Sequence, residues 1–257
     1  MLAVISPAKK LDFDRTDVPD SFTQSEFLGQ TKKLMVRGRK LSVNDLKGLM
    51  NISDDLGELN RQRFKAMKLP FTPDNAKQAA YAFNGDTYAG LQASTFDDDD
   101  LSYAQDHLRI LSGLYGLIRP LDLIQPYRLE MGIKLDTVRG KDLYQFWGDR
   151  LSRKISNLLK EHESPLLINL ASTEYFKAVR RKTLKADVLT PVFKEIKGNE
   201  AKIIGFSAKR ARGMMARYMI ANRIDQPGGL KEFSEEGYSF QPGLSSESEY
   251  VFTRVIS

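Results

Sequence analysis

Short unbroken apolar runs alternate along the chain with longer stretches in which apolar residues return every three or four positions. The short runs read as strands buried on both faces, and the periodic stretches as helices that cover them. Leu2-Ala3-Val4-Ile5, stopped by Ser6-Pro7, is the first strand. Residues 165–172 repeat the pattern, and residues 110–120 form a strand with a glycine-punctuated exit. Residues 188–193 and 201–206 read as paired strands around Gly198-Asn199. The tail alternates through Tyr238, Phe240, Tyr250 and Phe252, as edge strands would. Helical spacing predicts helices over 21–40, 72–79, 97–108, 142–159 and 207–224. Ser42 with Asp45, and Ser53 with Asp54 and Asp55, mark two further helix starts within 42–68. Only Asn51-Ile52-Ser53 separates them, so this is a tight helical hairpin. Residues 119–132 fit neither period and are dense in Pro, Gly, Arg and carboxylate, as site-shaping loops are. The expected fold is α/β with mixed α+β character: a single domain over 1–257, a central mixed sheet flanked by helices, and the hairpin at 42–68.

Composition narrows the chemistry. With 257 residues, 41% hydrophobic and 28% charged, the chain is ordinary for a globular protein. No apolar run approaches the ~18 residues that a membrane helix needs. The opening residues lack a basic n-region, and their apolar stretch is too short for a secretory signal. A cytoplasmic monomer without membrane contact is expected. There is no cysteine, which removes disulfides, thiolate nucleophiles and iron–sulfur clusters. With only His107 and His162, no metal site and no cofactor are expected.

Charge redirects the reading. The net charge is +6, but residues 139–217 alone carry 18 Lys/Arg against 8 Asp/Glu. A basic block of this kind suits a polyanionic partner, or else a solvated lysine-rich surface. Several polar clusters follow the expected strands: Ser6 and Lys9 after the first; Asn169, Ser172 and Glu174 after 165–172; Lys209, Arg210 and Arg212 after 201–206. Open α/β sheets place ligand crevices beyond strand carboxyl ends. There the cations would hold an anion, and Glu130 and Glu174 are the candidate acid and base, with Asn169 and Ser172 beside them. The same residues could equally serve to tie loops together. Ser6-Pro-Ala-Lys9 lacks the companions of a β-lactamase motif, and Gly113 with Gly116 is no dinucleotide fingerprint. On its residues alone the hairpin reads as two packed helices, because its turn lacks a hydrophobic–Gly–hydrophobic core and Asp54 and Asp55 oppose phosphate.

Six blocks together resemble one family. They are Ser6-Pro-Ala-Lys9 with Leu11-Asp12; Leu49-Met-Asn-Ile-Ser53; the long block Leu108 to Gly132; Lys141-Asp-Leu-Tyr-Gln-Phe-Trp-Gly148; Asn169-Leu-Ala-Ser172 with Glu174-Tyr175; and Lys209-Arg-Ala-Arg-Gly213. The chain resembles, over essentially its whole length, the YaaA family of bacterial peroxide stress-resistance proteins. That resemblance implies a cytoplasmic protein that limits iron-dependent oxidative damage and binds duplex or distorted DNA. It implies a positively charged cleft and a helix-hairpin-helix element at 42–68, and it establishes no enzymatic activity. Carried onto this sequence, DNA contacts are expected from Lys9, Arg61, Arg63, Arg128, Lys209, Arg210 and Arg212. The competing expectation is an enzyme that acts on a small anionic substrate, or on DNA, from the strand-end pocket. With no thiol, the protein cannot be a thiol peroxidase. With no familiar iron ligands, any effect on iron is expected to be indirect.

Overall fold

The computed structural model describes residues 1–198 and 200–256. Leu2–Ile5, buried along its whole length, lies inside an eight-stranded mixed sheet. Leu108–Ser112 pairs with it in parallel on one side and Leu166–Leu170 on the other, so that Val4 sits between Arg109 and Asn169. Asp187–Lys197 and Glu249–Val255 extend the parallel core outward. Gly116–Ile118, Glu200–Lys202 and Ser239–Phe240 add antiparallel pairings. The chain leaves Leu2–Ile5 toward one side of the sheet and later returns to its other side. The carboxyl end of this strand is therefore a topological switch point, where crossovers diverge and leave a crevice.

The helix signals at 42–68 act as their chemistry requires. Ser42 and Asp45 form a reciprocal capping box that opens Val43–Met50. The Ser53 hydroxyl accepts from Leu56 N at the start of Asp54–Ala66. Asn51 makes the turn in the left-handed region, at φ 50°. Asp97 caps Asp98–His107 in the same way, so the acid run lies on a positive helix end.

Four expected elements come out differently. Of residues 21–40 only Leu28–Gly38 is helical, because Thr23 instead exchanges backbone hydrogen bonds with Leu121 and Leu123. Residues 72–79 make a single turn, after which Lys77–Gln78 pairs with the 123–124 segment. Lys77 is drawn inward there, its ammonium donating to the Phe13 carbonyl at 2.9 Å. The long helix expected over 142–159 is two, Leu143–Trp147 and Arg150–Leu158, parted where Gly148 turns to φ 53°. The strand expected over 201–206 stops at Lys202, and Gly205–Ala221 is already helix. Of the turn expected at Gly198-Asn199, Asn199 lies outside the described residues. Trp147 is wholly buried, and its indole N–H donates to the Gly113 carbonyl at 2.9 Å.

At the opposite, amino-terminal end of the sheet, His107 stacks on Tyr103 and meets His162 edge to face. Burial, followed by the positive charges of the Met1 amino group, His107 and Arg109, pushes the His162 imidazole down to about 4. The unfolded chain takes up this proton near pH 6.5, before the folded chain does. Stability is therefore undiminished above that pH and is lost as pH falls from there toward 4. His162 is partly exposed, so after solvent screening the expected loss is about 1 kcal/mol. Urea midpoints between pH 7 and 5 check this, and His162→Gln should flatten the drop.

Candidate functional site

The strand carboxyl ends open into a cavity of about 640 Å³ at the switch point. Lys9, Ser172, Glu174, Lys209 and Arg212 all line it. Arg128 and Glu130 line a small recess beside it, and the two share Pro7, Ala8, Lys9 and Tyr175. Seven of the sequence-predicted positions therefore lie around one crevice.

Local structure explains how they arrive there. Ser6, just past Leu2–Ile5, accepts a hydrogen bond from Ser172 N at 2.9 Å, which ties the ends of two parallel strands together. The Ser6 hydroxyl in turn lies 3.3 Å from Ser172 Oγ, to which it donates. The aperiodic 119–132 loop is held from below. Asp122 is buried and accepts from Thr23 Oγ1 at 2.6 Å and from the Arg119 guanidinium at 3.0 Å. Tyr127 OH lies 2.6 Å from Ser112 Oγ. Gly113 lets the loop close down, since a Cβ there would stand 2.2 Å from the Leu129 carbonyl oxygen. On the far wall Gly213 lets the helix Gly205–Ala221 lie against Asp86–Leu91, backbone on backbone. That close crossing carries Lys209 and Arg212 over the cavity.

The charges are unevenly satisfied. Glu130 Oε1 receives Lys9 Nζ at 3.2 Å and the Arg128 guanidinium at 3.2 Å. Its second oxygen, Oε2, is buried without a partner among the described residues. Glu174 is exposed, and its Oε1 accepts from Gly132 N at 2.9 Å, which anchors the end of the loop. Arg212 is half-buried, and no hydrogen bond or ion pair among the described residues meets its guanidinium. Burial alone lowers its pKa. Tyr88 is buried in the cavity wall, and its hydroxyl donates to the Ser6 carbonyl at 3.1 Å, so burial holds its proton on.

Four predicted positions, Asn169, Arg210, Arg61 and Arg63, lie away from the cavity. Asn169 accepts from Ala171 N at 3.1 Å and reaches Thr190 Oγ1 at 3.4 Å, so it shapes the strand end. Arg210 pairs with Glu236 at 2.7 Å. Arg61 stands on the hairpin beside Glu58, 3.7 Å away. Arg63, half-buried on the same helix, has its pKa lowered by burial and then by the positive charge of Arg128. The hairpin thus brings a cation up to the loop that borders the recess.

Residues 84–88 form a wall that periodicity did not foretell. They reach the cavity because Phe83–Asn84 pairs with Lys10–Leu11.

Comparison with known proteins extends over the whole site. A family model described as "Peroxide stress protein YaaA" matches residues 1–244. A UPF0246 protein of Alteromonas mediterranea is 55% identical over 255 residues, covering 99% of this chain and 98% of its own. Relatives from Magnetococcus marinus and Cellvibrio japonicus, also UPF0246 proteins, are 54% and 53% identical, each covering 99% of this chain and 99% and 98% of their own. The resemblance drawn from the motifs thus extends through every segment that builds the cavity, and the chain belongs to the peroxide stress protein YaaA family.

Proposed function

We propose that this chain serves the peroxide-stress response in the cytoplasm, as a monomer, by binding duplex or distorted DNA along a cationic line. The line runs from Lys209 and Arg212 through Lys9 and Arg128 to Arg63 on the hairpin. The observation that carries this reading is that Lys9, Arg128, Lys209 and Arg212 line one crevice and its recess, with Arg63 close enough to Arg128 for the like charge to add to burial in lowering its pKa. A polyanion laid across Arg63 and Arg128 offsets that repulsion and releases counterions. The acids of the hairpin are partly engaged within it, since Asp54 is bound by Lys47. On this reading the hairpin at 42–68 acts as a helix-hairpin-helix element that offers backbone amides to phosphate. Iron-dependent damage is then limited indirectly, by covering DNA, with no iron bound to this chain.

Titrating a covalently closed duplex at several salt concentrations tests this. Log affinity should fall by ~0.9 per phosphate contact for each decade of salt. Undetectable binding at low salt would sink the reading.

One observation favours a second reading, an enzyme for a small anionic substrate. The cavity volume lies within the range of small-ligand pockets, and in the recess beside it the buried Glu130 Oε2 has no donor among the described residues. Glu130 is then the acid or base; Glu174 is already committed to the loop.

A further inference from the structure

The geometry points to the strand-end cavity as a binding site for a phosphomonoester, the dianionic phosphate carried by a free nucleotide or by the phosphorylated end of a nucleic-acid strand. This rests on the anionic-ligand reading of the cavity and names the ligand class.

Arg212 is the central observation. A desolvated guanidinium is normally paired, because leaving one uncompensated is strongly unfavourable. Here it lines the cavity wall, partly buried, and no carboxylate among the described residues pairs with it. Lys209 stands three residues earlier on the same helix, a spacing that puts both cations on one face, and it too has no ion pair among the described residues. Ser172 supplies a neutral donor. The Ser6 hydroxyl donates to Ser172 Oγ, so the Ser172 proton is left for the cavity. The carboxylates nearby do not fill this role. Glu174 is held by Gly132 N, Glu130 Oε1 is taken by Lys9 and Arg128, and Asp86 is exposed at the rim.

Size separates a monoester from the internal phosphates of a duplex. A cavity of about 640 Å³ can enclose a nucleotide, whereas a continuous double helix can only lie across its mouth. A monoester also carries close to two negative charges near neutral pH, matching two cations on one wall.

The full chain is titrated calorimetrically with 5′-AMP and with inorganic phosphate. In parallel, a single-stranded oligonucleotide is compared with and without a 5′-phosphate. Saturable binding is expected, weakened at least about tenfold by Arg212→Met and less by Lys209→Met. Arg212→Met removes an unpaired charge, so its urea midpoint should hold or rise; if the midpoint falls instead, Lys209→Met decides. AMP binding with no preference between the oligonucleotides identifies a free nucleotide as the ligand, whereas a phosphate-dependent preference identifies a strand end. Absence of all three interactions at about 5 mM ligand overturns the inference, as does binding that both variants leave unchanged. The closed duplex, measured on the same samples, separates the two failures. Duplex binding without monoester binding overturns this inference alone, and monoester binding without duplex binding overturns only the DNA reading.

Discussion

Gly213→Val should cost the fold at least about 3 kcal/mol, read as a fall in the urea midpoint, and at higher temperature it should leave little native protein. A Cβ at this position would stand 1.8 Å from the Thr87 carbonyl oxygen and 2.9 Å from Leu91 N. Both obstacles are backbone, so no rotamer change relieves them. Gly90 repeats the contact from the other helix, where a Cβ would meet the Arg210 carbonyl oxygen at 2.1 Å. The two helices must therefore part, and their separation opens the wall that carries Lys209 and Arg212. A chain of this kind has about 5–15 kcal/mol of stability in all, so the loss is a large fraction of it. Gly48→Ala is the control. Nothing lies within 4 Å of its added Cβ, and it sits inside Val43–Met50. Alanine there should stabilise by about 0.5–1 kcal/mol. Equal losses from both substitutions would refute the close-crossing argument.

What was legible in the sequence follows from where the physics is local. Leu2–Ile5 and Leu166–Leu170 could be read because strands covered on both faces are apolar throughout. The helix starts at Ser42, Ser53 and Asp97 could be read because a cap is a contact between near neighbours. The segment 72–84 could not. Its shape is set by two-residue pairings with 123–124 and 10–11, and by the Lys77 ammonium reaching the Phe13 carbonyl, all distant in sequence. The break at Gly148 was hidden inside a continuous apolar period, because periodicity records burial and not the direction of the axis.

The site divides along the same line. Parallel strands put their carboxyl ends on one side, so the clusters at 6–9 and 169–174 were bound to approach one another, whereas Lys209 and Arg212 follow the antiparallel Glu200–Lys202 and reach the cavity through the Gly213 crossing. Which member of each cluster faces the cavity was not written locally. Arg210 and Arg212 are two residues apart on one helix and point to different sides, the first to Glu236 and the second to the cavity. Ser172 reaches it, and Asn169 turns back to its own strand end.

Arg63→Glu should lower the affinity for a closed duplex by about one to two orders of magnitude at low salt and reduce the salt slope by ~1. Two effects combine. One phosphate contact is lost, and a negative charge is set where the polyanion must pass. In the free protein the substitution acts in the opposite sense. Arg63 is half-buried and repelled by Arg128, so a carboxylate there relieves the repulsion. Folding stability should therefore change little while binding collapses, which a general loss of structure would not produce. Arg61→Glu provides the comparison. Arg61 stands on the same helix beside Glu58, so its reversal sets two like charges near one another. If both reversals weaken binding equally, a diffuse basic surface is at work. If only Arg63→Glu does so, the polyanion follows the line from the hairpin through Arg128 to the cavity mouth. The monoester titration adds a second axis: Arg63 lies outside the cavity, so Arg63→Glu should leave 5′-AMP binding within about twofold of the unaltered chain.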